Sequence, residues 1–347
     1  MSQIIEKINP VNWNAIVRET IKRRRCEKLT RAKHAALAQV SIPTMIAFER
    51  GELSVSLQKA FAILEVVGLI AIEKPMDTQY AFMQQAFNKW ENLISKYDQK
   101  VPIYFPHGWY IFHYYFEGDL KNIRADNYKN ILEEISTPAY TGWRPFLINT
   151  NDKNSIFYPR DIEYGLENWI EITSDGRWSQ GDYWQSLLDG RSFIIRGFSE
   201  DRQEGFNPGL IFDINLPIRN MAETMIHAIR LAKKLRKKTP LKIHFQAHYH
   251  GLMGRVLRSW SDPIKYLYID DNHLSMENDA YLECILNLDD FNFEHSEEEL
   301  LPVLVQHIHP LASLLYDRFD GFLIPEQFVH HEIQKLLLNK HQFQGNI

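Results

Sequence analysis

Apolar and polar residues follow the period of an α-helix in the first seventy-five residues and change pattern beyond residue 100. Apolar residues recur every three or four positions over 13–25 and 53–67, and twice more within 29–51, which predicts four helices. After residue 100 the chain is rich in aromatic residues and in Asp-Gly and Pro-Gly pairs, which are typical of short strands joined by turns. The pattern therefore predicts an α+β protein, in which an all-α N-terminal bundle precedes a larger domain with a mostly antiparallel sheet.

The larger domain is predicted from its strand-like and helix-like segments. Strands are predicted at 109–116, 168–172, 192–196, 210–214, 241–249 and 281–288. Helices are predicted at 78–97, 218–238, 296–319 and 325–338, the third opening with a capping box formed by Ser296 and Glu299. These elements divide the chain into a helical domain (1–75), a linker helix (76–100) and an α+β domain (101–347) that is divisible into 101–215 and 216–347.

The segment 29–51 predicts a helix, a tight turn and a second helix. Thr30 and Ser41 are each placed to cap a helix, because a hydroxyl can accept a hydrogen bond from a free amide of the first turn. Pro43 suits the first turn of the second helix, where no N–H is needed, and Gly51 suits its end. The outward residues of this second helix are short, so its backbone could approach the edges of base pairs closely.

The run SIPTMIAFERG, residues 41–51, resembles the helix-turn-helix of the Xre/Cro/phage-repressor superfamily. The likeness covers residues 13–68, and the motifs that carry it are Val40-Ser41, Thr44-Met45 and Glu49-Arg50-Gly51. The resemblance implies that the second helix enters the major groove of double-stranded DNA.

Two sets of candidate residues follow from this docking. The residues expected to face the bases are Arg31, Ile42, Pro43, Thr44 and Ala47. The residues expected to hold phosphates are Lys22, Arg25, Lys33 and Ser41, together with an amide-rich helix start. Arg31 stands where the family often has Gln, and His34 and Ala38 stand where it has larger aliphatic residues, so no base preference is carried over. An ordinary alanine-rich helical hairpin is the alternative.

The distribution of charge favours a DNA-facing module on an acidic body. The 347 residues have a net charge of −5, but residues 1–75 carry twelve Lys and Arg against seven Asp and Glu. That segment is therefore at about +5 and the remainder at about −10. A solvated basic helix end is the simpler explanation of the run at 22–25, and both explanations can hold together.

Cysteine usage and hydropathy indicate a cytoplasmic protein. Cys26 and Cys284 lie far apart without metal-type spacing, and both are expected to be thiols. No apolar run approaches the length that spans a membrane, and the N-terminus lacks the apolar core of a signal peptide.

Three groups of side chains are candidates for a metal-binding or catalytic site. His244, His248 and His250 share one face of the strand 241–249, which makes them weak candidates for a metal site. The histidines of 307–309 and 330–331 are weaker candidates, because adjacent residues of a helix do not share a face. The pair Asp270-Asp271 is also weaker, because a turn at the end of a strand explains it. The segment 251–255 has two glycines but no phosphate-binding Lys, and no nucleophile elbow is found. The sequence therefore predicts no cofactor, no bound metal and no enzymatic activity.

A second resemblance covers about residues 142–319. The pieces GRSFIIRGF, PGLIFDINLPI and HYHGLMGRVL look like an uncharacterised bacterial module that follows predicted DNA-binding domains. This resemblance implies a sensing or assembly body and no particular activity.

The combined prediction is a sequence-specific transcriptional regulator that binds an inverted repeat as a homodimer. Repression is the default, because occluding a promoter requires no further partner, and the C-terminal domain would supply dimerisation and an effector site for an unidentified ligand. Two alternatives stay open. One is a DNA-targeted enzyme, such as a nuclease or a restriction or phage-defence accessory, and the other is an antitoxin-like protein-binding partner.

Overall fold

The computed structural model divides the chain into two compact units, Met1–Thr78 and Gln79–Ile347. It describes residues 12–38, 40–69, 78–95, 107–136, 145–146, 152–155, 157–170, 181–202, 207–238, 240–259, 269, 273–291 and 299–338. Helices preceding a sheet-rich unit confirm the predicted α+β class.

The first unit is helical throughout its described elements. Its helices are α1 (Trp13–Cys26), α2 (Arg31–Leu37), α3 (Ile42–Glu49) and α4 (Leu57–Val66). Their apolar faces meet in a small core that contains Val17, Met45, Phe48 and Ile63. The Trp13 ring meets the Phe48 ring edge-on at 5.3 Å. The helical period of the sequence therefore placed these elements correctly, because each helix buries its own apolar face.

The second unit is built on a seven-stranded sheet in which every strand pair is antiparallel. The strand order is β2-β3-β4-β5-β1-β7-β9. The strands are β1 (Trp109–Glu117), β2 (Arg160–Ile162), β3 (Gly165–Trp169), β4 (Tyr183–Leu187), β5 (Ser192–Gly197), β7 (Lys242–His250) and β9 (Asp279–Asn287). Two short strands, β6 (Ile211–Asp213) and β8 (Val256–Arg258), pair in parallel as a separate ribbon. The prediction of a mostly antiparallel sheet is confirmed.

One face of the sheet carries the main core. Helices α6 (Ala125–Ile135), α7 (Leu216–Leu235), α8 (Leu300–Tyr316) and α9 (Glu326–Leu338) contribute to it. Phe112 and Phe245 project from the sheet into this core, where they join Met225 and Ile229 of α7. Residues at alternate positions of β1 and β7 face this side because strand side chains alternate.

The opposite face is covered in part by α5 (Thr78–Ile94). Phe82, Ala86 and Trp90 of this helix pack on Trp109 of β1 and Phe193 of β5. The helix predicted as a linker is therefore part of the second unit. Beyond α5, Tyr281 and Ile285 of β9 are exposed on the same face, 71% and 52% respectively.

Several element boundaries differ from the sequence-based prediction. The strand expected at 168–172 begins at Gly165, and the one expected at 210–214 is the ribbon strand β6. Helix α8 begins at Leu300, after Glu299, which makes no side-chain capping bond. Ser296 and the pair at 270–271 lie outside the described residues.

Candidate functional site

The turn between α2 and α3 is held by the two predicted caps. The Thr30 hydroxyl accepts a hydrogen bond from the Lys33 amide at 3.1 Å. The Ser41 hydroxyl accepts one from the Thr44 amide at 3.2 Å. Each helix therefore begins where a side chain satisfies an amide that the helix itself leaves free.

Gly51 ends α3 in the left-handed conformation. Its φ is +74°, a region that L side chains rarely adopt. The Gly51 amide donates to the carbonyl of Phe48, and the following amide, of Glu52, donates to that of Ala47. This pair of bonds is the Schellman arrangement, which fixes the end of the helix.

Helix α3 divides into a buried face and an outward face. Met45 and Phe48 are fully buried in the core of the unit. Ile42 is 49% exposed, Pro43 is also exposed, and Thr44 and Ala47 are half-buried. The short side chains that the sequence assigned to the bases therefore lie at the surface of the unit.

Arg31 is engaged within the protein. Its guanidinium lies 2.7 Å from the Glu49 carboxylate, whose side chain is only 9% exposed. The guanidinium of Arg24 lies 3.1 Å from the same carboxylate. Glu49 thus joins α1, α2 and α3, and the half-exposed side chain of Arg31 has a partner within the protein. Sequence reasoning missed this bridge, although Glu49 belongs to the motif that carries the family resemblance.

The basic residues at the end of α1 divide into those bonded within the protein and those exposed at its surface. Arg23 donates to the carbonyl of Gly68 at 2.8 Å, and Arg24 donates to the carbonyl of Leu29 at 3.1 Å. Lys22 and Arg25 lie at the surface, as does Lys33 in the first turn of α2. The phosphate candidates are therefore the exposed members of the basic set, and Arg23 and Arg24 hold the bundle together.

The first turn of α3 has fewer free backbone amides than the sequence predicts. Pro43 has no N–H, and the Thr44 amide is bound by the Ser41 hydroxyl. The Ser41 hydroxyl also lies 2.9 Å from that of Thr44. Of the first three positions, only Ile42 keeps a backbone donor that could face a phosphate. The prediction of an amide-rich helix start is wrong, because Pro43 has no N–H and the Thr44 amide is already hydrogen-bonded to the Ser41 hydroxyl.

The histidines of β7 fall into two different environments. His244 lies 2.8 Å from a Glu117 oxygen, and its ring stacks on Tyr115 at 4.5 Å. His248 and His250 both lie 2.8 Å from the same oxygen of Asp279, the first residue of β9. Among the described residues, only His248, His250 and Asp279 form a group of three metal-binding side chains. Sequence reasoning missed Asp279, since only the register between β7 and β9 brings it beside the histidines.

Burial and hydrogen bonding set the charges of this group. Burial pushes the pKa of Asp279 upward, but the hydrogen bonds from His250 and His248 together with the charges of these two residues leave that pKa below its usual value. Burial lowers the pKa of His248, although Asp279 acts in the opposite direction. His248 also lines a pocket of about 370 Å³, together with His113, Gln246, Tyr281 and Glu283.

The glycine-containing segment 251–255 serves a buried ion pair. Arg255 is fully buried and lies 2.6 Å from Asp201, and it also donates to the carbonyls of His107, Ile211 and Gly251. The segment therefore joins loops of the second unit.

Nearby, burial and the charge of Asp213 raise the pKa of Glu200 to about 7.

Comparison of the chain with protein-family models gives no match, and comparison with curated proteins and with solved structures gives none either. Within the described ranges, none of the helices combines the length and the apolar character needed to cross a membrane.

Proposed function

We propose that this chain is a sequence-specific DNA-binding transcriptional regulator that reads the major groove with α3. The observation that carries the proposal is the outward face of α3. It presents short, uncharged side chains on a helix whose two ends are fixed by Ser41 and Gly51. A rigid helix with compact outward residues suits close approach to base edges.

The proposal gives each set of candidate residues in the first unit a role. Ile42, Pro43, Thr44 and Ala47 would contact the base edges, with apolar contacts and one hydroxyl. Lys22, Arg25 and Lys33 would contact phosphates without reading sequence. In this proposal Arg31 acts mainly by holding α2 against α3 through Glu49.

The second unit would supply dimerisation and an effector site. A single helix pair covers one half-site, so we propose a homodimer on an inverted repeat, with half-sites about one turn of DNA apart. Repression by occlusion is the expected mode, in a cytoplasmic protein whose Cys26 and Cys284 are both free thiols.

The decisive experiment selects bound duplexes from a random pool with the full-length chain. Recovery of an inverted repeat is expected. The affinity of the selected duplex is then measured by fluorescence anisotropy for the wild type and for Thr44→Glu, which places a negative charge against the groove. The variant is expected to bind at least about tenfold more weakly, as the loss of one specific contact predicts.

The matched control is Ala15→Glu, which adds the same charge at the exposed start of α1. It is expected to keep the wild-type affinity. Equal affinity of Thr44→Glu and wild type, or a pool without any enriched motif, would refute the proposal. Cleavage of the selected duplex in the presence of Mg²⁺ would instead favour a DNA-targeted enzyme.

A further inference from the structure

The open face of the sheet beyond α5 carries a group of side chains that the DNA-binding proposal does not use. His248 and His250 are two residues apart on β7, so their side chains project from the same face. The antiparallel register places Asp279 of β9 directly opposite His250. We call His248, His250 and Asp279 the His-His-Asp group.

The two imidazoles point at one atom. His248 Nε2 and His250 Nδ1 each lie 2.8 Å from Asp279 Oδ1. The three candidate ligand atoms all lie within 4.8 Å of one another, and each residue is half-buried. In a tetrahedral zinc site, ligand distances near 2.0–2.1 Å put neighbouring ligand atoms roughly 3.3 Å apart. For an ion to fit, each of the two nitrogen–oxygen distances would therefore lengthen by roughly 0.5 Å.

Neighbouring side chains hold the rings and the carboxylate in place. The Trp109 ring stacks on His250 at 4.7 Å, and the Tyr281 ring stacks on His248 at 4.0 Å. The Asn278 amide nitrogen lies 3.2 Å from Asp279 Oδ2 and 3.2 Å from His250 Nδ1. Outer contacts of this kind orient the ligands of metal sites.

We propose that His248, His250 and Asp279 bind one divalent transition-metal ion of the Zn²⁺ type. Two imidazoles and one carboxylate are the ligand types of sites that keep a further position open for water or a ligand. The pocket of about 370 Å³ that adjoins His248 is where a small ligand of the metal would lie. Polar groups of His113, Gln246 and Glu283 line that pocket. This inference goes beyond DNA binding, because it assigns a ligand to the second unit.

A second histidine–carboxylate pair on the same sheet face provides the control. His244 and Glu117 lie 2.8 Å apart, as do the members of the His-His-Asp group. Among the described residues, no third metal-binding side chain lies close enough to complete a site with His244 and Glu117. Metal binding by three converging ligands should therefore require His248 and Asp279, and it should not change when His244 is substituted.

The test uses the untagged full-length chain after removal of metal with a chelator. Zn²⁺ binding is measured by competition with a chromophoric chelator, and Co²⁺ is added separately to record its visible spectrum. One Zn²⁺ per chain is expected, with a Co²⁺ spectrum of low coordination number. His248→Ala and the shape-conserving Asp279→Asn are each expected to weaken binding by at least about tenfold. His244→Ala is expected to bind as the wild type does.

Circular dichroism of the metal-free variants separates lost ligands from lost folding. Asp279→Asn, which keeps the shape of the side chain, provides the test if His248→Ala does not fold. Absence of saturable binding would overturn the proposal. Equal weakening by His244→Ala, or no weakening by Asp279→Asn, would overturn it too. DNA affinity of the metal-free chain is measured separately, so failure of the metal site leaves the DNA-binding proposal standing.

Discussion

The carboxylate of Glu49 lies 2.7 Å from the guanidinium of Arg31 and thereby ties the second helix of the candidate DNA-binding motif to the first. The same carboxylate faces Arg24 of α1 at 3.1 Å. Because the Glu49 side chain is nearly buried, this bridge acts in a region of reduced screening. The bridge links α3 to α1 and α2, and the proposed docking of α3 in a DNA groove depends on that packing.

Glu49→Gln is expected to lower the free energy of unfolding by about 1–3 kcal/mol, because it leaves Arg24 with a neutral partner. Urea denaturation followed by circular dichroism measures the change. Glu52→Gln serves as the control, since Glu52 makes exposed contacts, a pair with Arg50 at 3.8 Å and a hydrogen bond from the Ser54 hydroxyl at 3.5 Å. The control is expected to change stability by less than about 0.5 kcal/mol. Equal effects of the two substitutions would show that the Glu49 bridge does not stabilise the unit.

Lys22→Ala, Arg25→Ala and Lys33→Ala are each expected to weaken binding to every duplex alike. Each removed phosphate contact should reduce the slope of log K against log salt by about 0.9. Anisotropy titrations at several salt concentrations, on the selected duplex and on a scrambled one, measure both effects. Lys59→Ala, an exposed lysine on α4, is expected to leave the slope unchanged. A change of sequence preference in the Lys22, Arg25 or Lys33 variant would contradict the assignment of that residue to phosphate.

Glu200→Gln is expected to remove a pH-dependent cost of folding. Burial raises the pKa of Glu200 from 4.5 to about 7, so the folded protein binds this proton more tightly than the unfolded chain does. The contribution of Glu200 to stability is greatest below pH 4.5, falls as the pH rises toward 7 and is level above it. At pH 8 the variant should be more stable than the wild type by about 3 kcal/mol.

Near pH 4.5 that advantage of Glu200→Gln should vanish. Denaturation curves at pH 4.5, 6 and 8 provide the comparison. Glu91→Gln makes the same change at an exposed position of α5 and is expected to shift stability by less than about 0.5 kcal/mol. A Glu200→Gln effect that is the same at all three pH values would count against a buried, protonated Glu200.

His34→Leu is expected to leave the first unit as stable as the wild type or to stabilise it by about 1 kcal/mol. His34 is fully buried, and its Nε2 lies 2.9 Å from the Ile63 carbonyl. Its Nδ1 has no hydrogen-bond partner among the described residues, which is costly in a buried place. Leucine would remove that unpaired atom at similar volume. Thermal unfolding measures the change, and a loss above about 2 kcal/mol would show that the bond to Ile63 dominates.

Local features of the fold could be read from the sequence. The caps at Thr30 and Ser41, the stop at Gly51 and the alternation of β7 all depend on residues a few positions apart, and the structure has each of them. The helix α6 and the strands β2, β4 and β8 were missed. Helix α6 begins at Ala125 without a side-chain capping bond, so it lacks the usual start signal. Strands β2 and β8 have three residues each, too few to show alternation, and β4 does not alternate because it is largely buried on both faces.

Pairings between distant parts of the chain were beyond such reasoning. The pairing of Arg31 with Glu49 depends on how α2 and α3 pack. Helix α5, which the sequence predicts as a linker, packs on β1 and β5 and is part of the second unit.

By itself, then, the sequence determined the helical first unit, its capped turn, and the strand that carries His248 and His250. Only the tertiary structure decided that Asp279 lies beside those histidines and that Glu49 holds Arg31. The physical reason is that a helix or strand is specified by its own neighbours, whereas strand register and helix packing depend on burying apolar area between residues far apart in the chain.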